Sequence, residues 1–185
     1  MMPEISLNIL DVAQNSVTAG AQLIVLDIEA DTEADKLTVS IIDDGKGMTQ
    51  EQISRVADPF YTTRTTRSVG LGVPFFKMAC ELTGGRFSIE SVVGSGTTIS
   101  AVFGLSHIDR MPLGDIAGTF TALVGPTPDI DFLLNYRVDG KSFTADTREF
   151  RAILGDVPLN EPQVLGFIDG FIRENREECD AGKVI

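Results

Sequence analysis

Four short stretches carry residue types that could together hold a phosphorylated base. Asp43-Asp44-Gly45-Lys46-Gly47-Met48 follows an apolar run, Leu37 to Ile42, that alternates as a strand does. A carboxylate is therefore delivered at a strand end, beside glycines that let the backbone turn sharply and leave it unshielded by any Cβ. Asp43 can there accept a hydrogen bond from an exocyclic amine such as that of adenine. Asn8, Asp11, Asn15 and Thr18 recur at i, i+3, i+7 and i+10, one polar stripe along a helix. An Asp and an Asn one turn apart can aim a water and a metal at one phosphate. Gly70-Leu71-Gly72 stands just before a helix start, whose free N–H groups and positive dipole end suit phosphate. Thr97, first out of the turn Gly94-Ser95-Gly96, can place a hydroxyl in a pocket. Taken singly, these stretches fit a solvated helix face, a glycine-rich turn or an ordinary strand threonine equally well.

The elements that must position them follow in order. Leu7 to Ala19 reads as a helix, with Leu10, Ala13 and Val17 on an apolar face that Ile9 and Val12 broaden. Gln22 to Ala30 and Leu37 to Ile42 read as a hairpin across the polar turn Asp31 to Asp35. Thr49 and Gln52 make a capping box for a short helix. Asp58 to Val69 has neither helical nor strand period and reads as a mobile loop. The next helix runs from Val73 to Leu82, with Pro74 in its first turn and an apolar stripe of Phe75, Met78, Ala79 and Leu82. Arg86 to Glu90 and Thr97 to Phe103 are two more strands.

Composition bounds the partners. The chain has 185 residues and a formal net charge of -12. Phosphate-backbone and anionic-membrane binding need clustered Lys and Arg, so neither a nucleic acid nor a membrane is an expected partner. Cys80 and Cys179 lack metal-ligand spacing and read as one buried and one surface thiol of a reducing compartment. The N-terminus has no signal-peptide pattern, and no apolar run approaches the ~20 residues of a membrane span. The expectation is a cytoplasmic, soluble protein.

Residues 106–185 carry no chemical motif and read as a small α+β extension or domain, with its own core or continuing the first sheet. Ile116 to Val124 and Asp131 to Val138 look strand-like, and Asp139-Gly140 signals a hairpin. Asp146 and Glu149 form a capping box for a short helix to Leu154. Asn160 caps a last helix with stripe Val164, Leu165, Ile168, Phe171 and Ile172, and the polar run after Asn175 is expected to fray.

Asn15, Asp43-x-Gly45-x-Gly47, Asp58-Pro59-Phe60-Tyr61-Thr62-Thr63, Gly70-Leu71-Gly72 and Gly94-Ser95-Gly96-Thr97 stand in an order that resembles the GHKL ATP-binding superfamily, most nearly its histidine-kinase branch. The resemblance covers roughly residues 5–104, and a domain of 1–105 is drawn on it. It implies an α/β (α+β) two-layer sandwich, a Bergerat-type mixed sheet with helices on one face. It also implies ATP and Mg²⁺ as cofactors. Asn15 would coordinate Mg²⁺, and Asp43 would bond the adenine amine directly and through a water shared with Thr97. Gly45 and Gly47 would let the backbone approach the base, and Met48 would line its face. Asp58 to Val69 would be the ATP lid, and Gly70, Leu71 and Gly72 would bring N–H groups to the phosphates.

Hydrolysing branches of that superfamily place Glu four residues before the motif Asn. This chain has Asp11 there, one methylene shorter, as the candidate catalytic base. The histidine-kinase branch normally carries its phospho-accepting His on a helical hairpin ahead of the Asn helix, whereas this sequence opens almost at that helix, and His107 reads as a boundary residue. A transferred phosphate would therefore go to an acceptor in another chain. Arg64 and Arg67 fall in the lid, Lys46 and Lys77 read as solvated, and Lys141 is a conceivable counterpart of the γ-phosphate lysine of gyrase-like relatives. The expected function is an ATP–Mg²⁺-binding protein cleaving the β–γ bond, as an ATPase or as a protein kinase acting in trans. The alternatives are an ATP-gated protein-binding module without turnover and a nucleotide-free scaffold. A protein partner is expected and a homodimer is open.

Overall fold

The computed structural model describes residues 4–56 and 71–185. Their elements, in chain order, are α1 (Ile5–Thr18), β1 (Leu23–Asp31), β2 (Lys36–Asp43), α2 (Gln50–Val56), α3 (Gly72–Glu81), β3 (Arg86–Val92), β4 (Gly96–Gly104), α4 (Ile116–Val124), β5 (Asp131–Val138), β6 (Lys141–Asp146), α5 (Thr147–Leu154) and α6 (Pro162–Asp180). The strands form one sheet in the order β3-β4-β2-β1-β5-β6. All pairings are antiparallel except β1 with β5, so the sheet is mixed.

Side chains alternate across a strand, so burying one face demands an apolar residue at every second position. Ile24, Leu26, Ile28 and Ala30 on β1 are buried, as are Leu37, Val39 and Ile41 on β2 and Phe132, Leu134, Tyr136 and Val138 on β5. Registers such as Leu26 opposite Ile41 and Leu26 opposite Leu134 align these residues on a single face. The helices cover that face, giving two layers. Residues 106–185 add β5 and β6 to the sheet, and their buried side chains belong to the same core cluster as those of α1 and α3.

Several elements differ from their sequence reading. Ile116–Val124 is a helix, not a strand. Its β-branched and aromatic content favours a strand, but Asp115 caps it by accepting the Gly118 N–H at 3.0 Å. Its buried residues, Ile116, Ala117, Thr119, Phe120, Leu123 and Val124, follow the helical period. On α3 the buried face is Val73, Phe76, Ala79 and Cys80, while Met78 and Leu82 are 43% and 47% exposed. The helix is apolar nearly all round, so periodicity alone fits either face. The last helix starts at Pro162 with Glu161, not Asn160, in the cap position. It stays helical to Asp180, because the Tyr136 hydroxyl donates to Asp180 Oδ1 at 2.6 Å and Arg176 Nε donates to Oδ2 at 3.2 Å. That docking also buries Cys179, which the sequence places at the surface.

Candidate functional site

The sheet register sets one row of polar side chains. Asp43 at the end of β2 lies opposite Thr97 on β4, which lies opposite Ser91 on β3. Asp43 is also opposite the buried Ile24, so the row is on the helix-covered face. Above it, α1 supplies Ser16, which is 5% exposed. Ser16 Oγ donates to Asp43 Oδ2 at 2.6 Å, and the Gly45 N–H donates to Oδ1 at 2.9 Å. Each carboxylate oxygen retains lone-pair capacity for a further donor.

Ser91 organises the neighbouring hydroxyl. Its Oγ accepts the Met48 N–H at 2.8 Å, donates to the Gly96 carbonyl at 2.8 Å and lies 2.9 Å from Thr97 Oγ1. With its one proton on Gly96, Ser91 receives the proton of Thr97, and Thr97 presents lone pairs.

Two glycines are required by close backbone approach. Gly47 has φ +65°, and a Cβ there would lie 2.0 Å from the Val92 carbonyl oxygen. Gly96 has φ +111°, and a Cβ would lie 1.9 Å from the Asp43 carbonyl oxygen. These contacts seat the turn after β2 against the β3–β4 hairpin, which the Gly94 N–H to Lys46 carbonyl bond of 2.8 Å reinforces.

A cavity of about 570 Å³ opens beside this row, within the ~300–1,000 Å³ of small-molecule sites. Asn15, Asp43, Gly47, Met48 and Thr97 all line it, as does Val73 at the start of α3. Asn15 is exposed. Gly45, Leu71 and Gly72 do not line the cavity, and Gly70 and the expected lid, with Arg64 and Arg67, fall outside the described residues. Gly72 nevertheless packs on Asp11, since a Cβ at Gly72 would lie 2.8 Å from Asp11 Cβ. Asp11 thus meets the α3 N-terminus one residue from the lining without lining the cavity itself. Burial raises the Asp11 carboxyl pKa above its ordinary value.

The polar stripe of α1 divides. Asn15 and Thr18 line the cavity, whereas Asn8 is 1% exposed and its Oδ1 has no hydrogen-bond partner. Lys46, expected to be solvated, is part of the lining, and so are Glu51, Gln52 and Arg55 of α2. The Thr49–Gln52 capping box that starts α2 is formed, with Thr49 N–H to Gln52 Oε1 at 2.8 Å and Gln52 N–H to Thr49 Oγ1 at 3.3 Å. Sequence reasoning passed over Ser16 and Ser91. Ser16 adjoins Asn15, and Ser91 mirrors Thr97 across the Gly94 turn, a position that counting outward from the turn would have found.

Lys141 is not placed to reach this cavity. Val138, its cross-strand partner on β5, sits beside Ala30 at the far end of β1, whereas Asp43 sits beside Ile24. The Lys141 ammonium donates instead to the Glu178 carbonyl at 3.2 Å. His107 follows β4 on the surface, its Nδ1 accepting the Asp109 N–H at 3.2 Å.

Residues 3–107 match the family described as histidine kinase-, DNA gyrase B- and HSP90-like ATPase. The chain belongs to this ATPase family. Among curated relatives, sporulation kinase E of Bacillus subtilis is 33% identical over 96 residues, 52% of this chain and 13% of that protein. The non-motile and phage-resistance protein of Caulobacter vibrioides is 30% identical over 97 residues, 50% of this chain and 12% of that protein. The chain thus spans a small fraction of the length of these family members. The crystal structure of the N-terminal domain of a DNA repair protein shares the fold with a TM-score of 0.54 at 14% identity, over 84% of this chain and 58% of that one. That coverage exceeds the family match, so the shared fold extends past residue 107. Membership puts the chain in the ATP-binding GHKL class.

Proposed function

We propose that the cavity between α1, α2 and the end of β2 binds ATP with Mg²⁺, and that the chain cleaves the β–γ bond, by hydrolysis or by transfer to a protein in another chain. The observation that carries the reading is the gathering of Asp43, Thr97, Met48, Gly47 and Asn15 around one cavity of suitable size. In this reading the free capacity of Asp43 takes the adenine amine, and Thr97 shares a water with it. Met48 and Ile99 supply apolar surface to the base. The start of α3, where Val73 lines the cavity, would face the phosphates with its first-turn N–H groups.

The donor set fits Mg²⁺. Among the described residues no group of three or more His, Cys, Asp or Glu could hold a metal. The Asn15 amide oxygen would share the ion with phosphate oxygens and water, a set Mg²⁺ accepts readily. When bound, the ion supplies neutralisation of phosphate charge. Asp11, beside the α3 N-terminus, would hold the proton of the attacking nucleophile.

A gated binding module without turnover is the second reading. It is favoured by one observation, that Asp11 stands outside the cavity lining. γ-Labelled ATP incubated with the protein, alone and with candidate partners, separates the two. Release of phosphate or labelling of a partner, abolished by Asp11→Asn with binding retained, supports cleavage. Tight binding with neither product supports the module, and no binding at all overturns both.

A further inference from the structure

β3 is an edge strand: among the described residues only β4 pairs with it. An exposed edge offers a row of free backbone N–H and C=O groups, and charges placed on it normally discourage pairing with another chain. The charges of β3 do the opposite for one partner. Its core reads Arg86-Phe87-Ser88-Ile89-Glu90. Arg86, Ser88 and Glu90 are exposed, while Phe87 and Ile89 face the helix layer, where Phe87 stacks edge-on to Phe76 at 6.3 Å. Turned end for end about Ser88, the strand meets itself with Arg86 opposite Glu90, Phe87 opposite Ile89 and Ser88 opposite Ser88. Opposite charges directly across an antiparallel pair attract, and like charges repel. Neither Arg86 nor Glu90 has an ion-pair partner among the described residues.

The pairing follows from one two-fold axis at Ser88, as a symmetric dimer requires. We propose that β3 is a dimerisation edge whose occupant is a second copy of this chain, joined antiparallel about Ser88 into a continuous twelve-stranded sheet, twice the six of one chain.

Sedimentation of the full chain over a concentration series tests this. The expected result is a species of twice 19.9 kDa that dissociates on dilution. Arg86→Glu and Glu90→Arg each place like charges at both symmetry-related positions and should raise the dissociation constant roughly tenfold or more. The double reversal, Arg86→Glu with Glu90→Arg, should restore it. Thermal melting of each variant checks that folding is retained. A chain that stays monomeric throughout overturns the proposal. So does a dimer indifferent to the single reversals, or a double reversal that fails to rescue.

Discussion

Ser16 donates its hydroxyl to Oδ2 of Asp43 at 2.6 Å, joining the first helix to the end of the second strand. The bond orients the carboxylate from above while the Gly45 N–H holds its other oxygen from the side. Both donors come from the protein, so the acid is aimed before any ligand arrives, which lowers the cost of binding.

Ser16→Ala should therefore weaken binding of an ATP analogue by about threefold to tenfold, the worth of one hydrogen bond of about 1 kcal/mol. Titration calorimetry of variant and parent measures it. Equal affinities would mean that Ser16 does not position Asp43.

Gly47→Ala should be severely damaging. The new methyl would collide with the Val92 carbonyl at 2.0 Å, and φ is +65°. Local strain of this kind costs about 1–3 kcal/mol before the clash is counted. Gly94→Ala is the matched control, with φ +80° but nothing within 4 Å, so only the backbone strain applies, without the clash. Chemical denaturation should rank Gly47→Ala well below Gly94→Ala.

Asp11 carries a pH signature. Burial raises its pKa, so the fold favours the protonated acid. That contribution to stability is full below the ordinary carboxylate value and is lost as pH rises through the raised one. Asp11→Asn should thus leave the melting temperature unchanged or slightly higher at neutral pH. If Asp11 is the base, phosphate release by the parent falls as pH drops through its raised pKa. A variant clearly less stable at neutral pH would contradict this account of the Asp11 environment.

Asp139 behaves oppositely. The Lys183 ammonium, then the Thr32 N–H and hydroxyl, hold its pKa down to about 2. Its contribution is present above the ordinary value and is lost as pH falls toward 2. Asp139→Asn should lower the melting temperature near neutrality, and the difference from the parent should vanish in strong acid. A pH series of melting curves shows whether it does.

Much of this site was legible because its signals are local. Asp43 follows an alternating run, and glycines mark the two turns that meet at Val92 and Asp43. The Thr49–Gln52 capping box is written in adjacent residues. What was missed depends on packing between distant segments. Ser16 becomes a site residue only when α1 lies over β2, and Asn8 is buried although it shares the stripe of Asn15. The stripe read on α3 differs from its buried face because Phe75, Met78 and Leu82 repeat at the same interval as Val73, Phe76 and Cys80. Ile116–Val124 reads as a strand by its β-branched content, although its helical period is equally visible. The ordered end of α6 needed Tyr136, over forty residues earlier, to hold Asp180.

Calorimetric titration of ATP with Mg²⁺ into the parent and Asp43→Asn tests the central claim most directly. The amide would offer a donor to a donor, so an affinity loss of tenfold or more is expected, in line with about 1.5–3 kcal/mol for a hydrogen bond to a charged group. Saturable binding by the parent with that loss in the variant is the predicted result. Equal affinities, or no heat from the parent, would contradict the assignment of this cavity to the base.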